Sequence, residues 1–90
     1  MSSPNVKRGF RSKKVGALAQ FSGGHHGTVV DVVADVELQG CLMGMGLFVG
    51  TRFQLLRSGG TTHNIPFILA IGETRIALGR EIAEMILVEE

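Results

Sequence analysis

Leu38-Gln39-Gly40-Cys41-Leu42-Met43-Gly44-Met45-Gly46-Leu47-Phe48-Val49-Gly50-Thr51 contains a helix, its stop signal and the entry to a sheet. Leu38, Cys41, Leu42 and Met45 fall at i, i+3, i+4 and i+7, which draws one apolar stripe along a short helix. Gly44 and Gly46 bracket the last turn, where glycine can take positive φ and let the final helical carbonyls find partners. Leu47-Phe48-Val49 then runs on without a polar residue and forms an apolar knuckle. Upstream, Asp35 offers a short acceptor to the free N–H groups of the first turn, and Glu37 adds negative charge at the positive end of the dipole. The spacing predicts a helix over Val36 to Met45.

Short strands surround this element. Thr28 to Val33 is β-branched almost throughout. Thr51 to Arg57 alternates, with Phe53 and Leu55 on one face and Arg52, Gln54 and Leu56 on the other. A polar loop, Ser58 to Asn64, leads to a strand over Ile65 to Ile71, with Pro66 near its start where a missing N–H is tolerated. Gly72-Glu73 turns the chain into Thr74 to Leu78, which predicts a hairpin. Gly79 to Glu84 reads as one helical turn and Met85 to Val88 as the closing strand. Val15 to Phe21 is mildly apolar and runs into the glycine loop Ser22 to Gly27. Five short strands are stabilised most economically by a closed or nearly closed barrel, which hides their edges. The order, with a helical turn before the last strand, looks like a small SH3-like barrel: all-β with one short helix. Its expected core is Val30, Val32, Leu38, Leu42, Met45, Phe53, Leu55, Ile68, Leu78, Ile86 and Val88.

Ninety residues with 44% hydrophobic content make one domain, too small for a deep substrate cleft with a lid. Lys7, Arg8, Arg11, Lys13 and Lys14 crowd the start, and all eight acids lie later. Residues 16–90 hold four basic against eight acidic side chains, a formal −4. Residues 1–15 therefore read as a disordered basic arm and residues 16–90 as the folded domain. The arm is a solvated terminus or a contact for anionic lipid heads. Cys41 is alone and fits a reducing compartment. The uncharged run Leu38 to Thr51 is too short and too rich in glycine to span a membrane. The basic start lacks the apolar stretch of a signal peptide.

No catalytic set emerges. Gly44 to Gly50 resembles a dinucleotide fingerprint only superficially, because it closes a helix instead of opening one. There is no phosphate loop and no spacing that suggests a catalytic triad, so the chain does not read as an enzyme. His25, His26, Cys41 and His63 are the candidate metal ligands, with Met43 and Met45 weaker. His25 and His26 are neighbours and point apart on extended backbone. Cys41 sits on the helix stripe and reads as a small buried apolar residue. No firm cofactor follows, and direct binding of Fe²⁺ is expected to be weak or absent.

The run Leu42 to Thr51 resembles the signature of the ferrous iron transport protein A (FeoA) family, in which a leucine-rich helix ends in a glycine step followed by a hydrophobic knuckle. Ala17-Leu18, the glycine loop, and Gly27-Thr28-Val29-Val30-Asp31-Val32 are similar to that family's opening strand. Pro66-Phe67, Ile76-Ala77-Leu78 and Ile86-Leu87-Val88-Glu89 are similar to its later strands. Val49 stands where the family often has proline, and Asn64-Ile65-Pro66 lacks the family's aspartate. The resemblance implies a small cytoplasmic accessory of a membrane ferrous iron permease (FeoB), peripheral to the inner membrane through that partner; the acidic body and the absence of a helix-turn-helix region argue against binding nucleic acid. The candidate partner surface, read from the pairing of an apolar turn with a long polar loop, is Leu47, Phe48 and Val49 with the loop residues Thr62, His63 and Asn64. Against it stands an inward fold of Leu47 and Val49 that leaves only Phe48 partly exposed. Two other functions compete: a free-standing regulatory module, since the same barrel resembles a domain of metal-dependent repressors, and a transition-metal chaperone.

Overall fold

The computed structural model describes residues 14–59 and 65–90. Six strands, two helices and a 3-10 turn follow in the order β1 (Val15–Ala17), the turn Leu18–Gln20, β2 (His26–Val32), α1 (Val36–Gly44), β3 (Arg52–Arg57), β4 (Phe67–Ile71), β5 (Thr74–Leu78), α2 (Arg80–Ala83) and β6 (Ile86–Glu89). They form one antiparallel sheet in the order β1-β6-β2-β3-β4-β5. This is the expected small SH3-like, mostly β architecture with one short helix. The sheet is not closed by hydrogen bonds, however, and β1 and β5 are its two edges.

The sixth strand is the one the sequence does not announce. Val15 pairs with Glu89, Gly16 with Val88 and Ala17 with Leu87. Three residues with a glycine at the centre carry no alternation, so their strand state is conferred by β6. Val15, assigned to the arm from sequence, is the first residue of this strand. Residues 1–13 of the arm lie outside the described residues.

The core comprises Leu18, Val29, Val32, Leu42, Leu47, Phe53, Leu55, Phe67, Leu69, Leu78, Ala83, Ile86 and Val88, with Leu38 packed against it. Seven expected positions are buried there, and three expectations fail for identifiable reasons. Val29 is buried where Val30 was expected, because the β2–β6 register slips between Val29 and Asp31. A bulge adds one residue to one strand and resets the alternation, so Val29 and Val32 both face inward, opposite Val88 and Ile86. On β4, Phe67 and Leu69 are buried in place of Ile68, since they pair with the inward residues Leu78 and Leu55. Met45 is 41% exposed. The helix ends at Gly44, which leaves Met45 at the C-cap with φ −94° and ψ 0°.

The helix start follows the sequence reading: the Asp35 carboxylate accepts the Leu38 N–H at 2.8 Å. The hairpin does too, with Ile71 opposite Thr74 across Gly72-Glu73.

Candidate functional site

The helix stop and the knuckle form one continuous hydrogen-bonded unit. The Leu47 N–H donates to the Leu42 carbonyl at 2.8 Å, and the Gly46 N–H donates to the Met43 carbonyl at 2.9 Å. Gly46 takes φ +95° between them. This pair of bonds is the Schellman arrangement, and the two positions that usually carry its accompanying apolar pair are Leu42 and Leu47. Both are buried in the core cluster. Leu47 is therefore an anchor that turns inward.

Thr51 fixes the far side of the knuckle. Its buried hydroxyl donates to the Gly46 carbonyl at 2.8 Å and accepts the Phe48 N–H at 3.2 Å. Its own N–H donates to the Phe48 carbonyl at 3.0 Å. Gly50, at φ +97°, donates to the Val29 carbonyl, and Val29 donates in return to the Thr51 carbonyl, each at 2.8 Å. With its base tied to α1 and β2, the knuckle holds Phe48 45% exposed and Val49 61% exposed. The sequence alternative, in which Leu47 and Val49 both fold inward, is half right: Leu47 does and Val49 does not.

Beside the knuckle lies a cleft of about 330 Å³ lined by Asp31, Val32, Gln39, Met43, Leu47, Phe48 and Val49. One wall is α1, held to β2 by the Gln39 side-chain amide, which donates to the carbonyls of Ala34 at 2.7 Å and Val32 at 3.3 Å. Met43 projects from that wall and is 59% exposed. The cleft thus offers an apolar floor with a rigid rim, suited to seating a side chain. Gln39 was not singled out from sequence. A glutamine on an amphipathic helix carries no signal of a return bond to the preceding strand.

The other sequence candidates do not converge. His25 turns Nδ1 to the Glu90 carboxylate and meets the Phe21 ring edge-on, with centroids 5.9 Å apart. His26 starts β2 opposite Gln54. Cys41 is exposed, which corrects its reading as a buried residue: the face of α1 that reaches the core is narrow and is filled by Leu38 and Leu42. Thr62, His63 and Asn64 lie outside the described residues. Among the described residues, no group of three or more His, Cys, Asp or Glu is disposed to hold a metal ion. No helix among them is long and apolar enough to cross a membrane.

Comparison with known proteins agrees with this fold. The sequence model of the FeoA domain matches residues 17–90. A crystal structure of an iron uptake regulatory protein (FeoA) superposes with a TM-score of 0.72 at 30% identity, covering 83% of this chain and 95% of that one. The solution structure of FeoA from Chlorobium tepidum gives 0.68 at 25% identity, over 80% of this chain and 67% of that one. A manganese-dependent transcriptional repressor shares the fold, with a TM-score of 0.73 at 23% identity over 82% of this chain but only 40% of its own. No curated protein matches the sequence. Since the domain match begins in β1 and continues through the helix stop, the knuckle and β6, this chain belongs to the FeoA family, which is linked to ferrous iron transport.

Proposed function

We propose that the chain is an accessory protein of ferrous iron uptake that docks through its knuckle on the cytoplasmic part of the membrane permease, FeoB. The family supplies the transport setting. The observation that carries the docking surface is the outward pair Phe48 and Val49, presented on a base that Leu47 and Thr51 hold still. A large apolar side chain already held in place loses little freedom on binding, so most of its contact area counts toward affinity. On this reading the chain works in the cytoplasm and reaches the inner membrane only through its partner. Iron is the cargo of that partner, and no bond-making chemistry is asked of this chain. The shared fold of the manganese-dependent repressor does not by itself favour a regulatory role.

Phe48→Ala tests the proposal. The variant is expected to keep the folded spectrum, because the ring is half-exposed and outside the core cluster. Permease-dependent uptake of Fe²⁺ should fall to the level of cells lacking the protein. Normal uptake with a folded variant would move the docking surface elsewhere.

A further inference from the structure

The cleft carries a charge signature as well as an apolar one. Gln39 and Met43 lie four residues apart on one face of α1, and Asp35, the N-cap of that helix, precedes Gln39 by the same interval without lining the cleft. Gln39 and Met43 line the cleft, and Asp31 faces them from β2. Both aspartates are exposed, and each accepts one backbone N–H through Oδ1: Asp31 from Val32 and Asp35 from Leu38, both at 2.8 Å. Next to these residues in the chain, Val33 and Val36 are also exposed, the latter 85%. No lysine or arginine occurs anywhere from Val15 to Thr51. The arginines of the folded body, Arg52, Arg57, Arg75 and Arg80, all belong to later elements.

We infer that the cleft receives a basic amphipathic helix of the partner. One large apolar side chain of that helix enters between Met43 and Phe48, and lysine or arginine side chains within one turn of it face Asp31 and Asp35. The inference rests on the docking reading above and adds the chemistry of the segment that docks. An apolar groove of this kind reads helices through anchors spaced at i, i+3, i+4 and i+7. Burial of the anchor supplies most of the affinity. The two carboxylates select the sign of the flanking charge: they speed the approach of a cationic segment and set like charges against an acidic one.

The test is a chemical-shift titration of the full chain with two synthetic helical peptides. One has leucines at i, i+3, i+4 and i+7 on a lysine background; in the other every lysine is replaced by glutamate. The leucine–lysine peptide is expected to shift the backbone signals of Asp31, Gln39, Met43, Phe48 and Val49, with affinity that falls as salt rises. The leucine–glutamate peptide should leave them unmoved. Asp31→Asn combined with Asp35→Asn, which keeps a competent N-cap, should weaken the leucine–lysine peptide about tenfold, or about 1.4 kcal/mol, and flatten the salt dependence.

Equal binding of the two peptides would overturn the inference. So would shifts centred on Arg52, Arg57 and Arg75, or the lack of any saturable shift with the leucine–lysine peptide. Self-association that occupies the cleft residues, seen as concentration-dependent sedimentation, would overturn it in favour of a second copy of the chain. The two readings fail separately. If Phe48→Ala abolishes uptake while the peptides do not discriminate, docking stands and the charge assignment falls. If the lysine peptide alone binds while Phe48→Ala supports normal uptake, the cleft is a receptor for basic helices and the permease is not what it receives.

Discussion

The α1–knuckle segment, residues 36–51, and the β3–β5 meander, residues 52–78, follow one another in the chain and divide their apolar residues differently between core and surface. In the described part of the meander, Phe53, Leu55, Phe67, Leu69 and Leu78 alternate inward, while Arg52, Arg57 and Arg75 stand in solvent. In the knuckle segment Leu42 and Leu47 are buried, yet Met43, Phe48 and Val49 are exposed on a frame of hydrogen bonds through Gly46, Gly50 and Thr51. The meander is held by burial. The knuckle is held by directional bonds, which leaves its apolar side chains available for something outside the molecule. Isolated exposed apolar residues are ordinary, but a contiguous group beside a cleft marks an interaction surface.

Three substitutions sharpen or break this contrast. Phe67→Ala should have the largest effect, about 3 to 5 kcal/mol of lost stability in a denaturant titration, because the ring is fully buried. A loss below about 1 kcal/mol would mean that burial does not hold the meander. Thr51→Val comes next. It keeps the shape but strands the Phe48 N–H and the Gly46 carbonyl, at about 1 to 3 kcal/mol. Hydrogen exchange at the Phe48 amide should accelerate, while exchange in β4 and β5 changes no more than the global stability loss requires. Uniform acceleration in both regions would show the knuckle frame to be inseparable from the sheet. Val49→Ser should be smallest, within about 0.5 kcal/mol, as expected of an exposed position. A larger loss would mean that Val49 packs against the fold and the knuckle is not free.

Local signals were legible in the sequence, and signals set by distant partners were not. Asp35, Gly46 and the Gly72-Glu73 hairpin depend on residues within one turn of themselves, and each behaves as read. The phase of β2 depends on a bulge against β6, so the choice between Val29 and Val30 could not be made from alternation alone. β1 is a strand only because β6 lies beside it. At the site, the knuckle was visible as Leu47-Phe48-Val49, but its orientation was not. That orientation comes from the bonds Gly50 and Thr51 make with Val29, on another element. Cys41 and Met45 illustrate the converse error. A stripe at helical spacing gives a direction but not a width, and this helix needs only Leu38 and Leu42 to cover the core.

The position of β6 also bears on how the chain is made. Its four residues, Ile86–Glu89, lie between β1 and β2 in the sheet, so these two early strands share a neighbour that is synthesised after every other described element of the sheet. While the ribosome is still adding β3 to β5, β1 has no strand to pair with and one flank of β2 is open, a bare edge of the kind that invites pairing with other chains. The sheet is completed by insertion of a late strand into a waiting gap. Ribosome stalling before Ile86 would therefore leave a nascent chain with β2 to β5 available, the strand that joins β1 to them missing, and the edge of β2 open to pairing with neighbours.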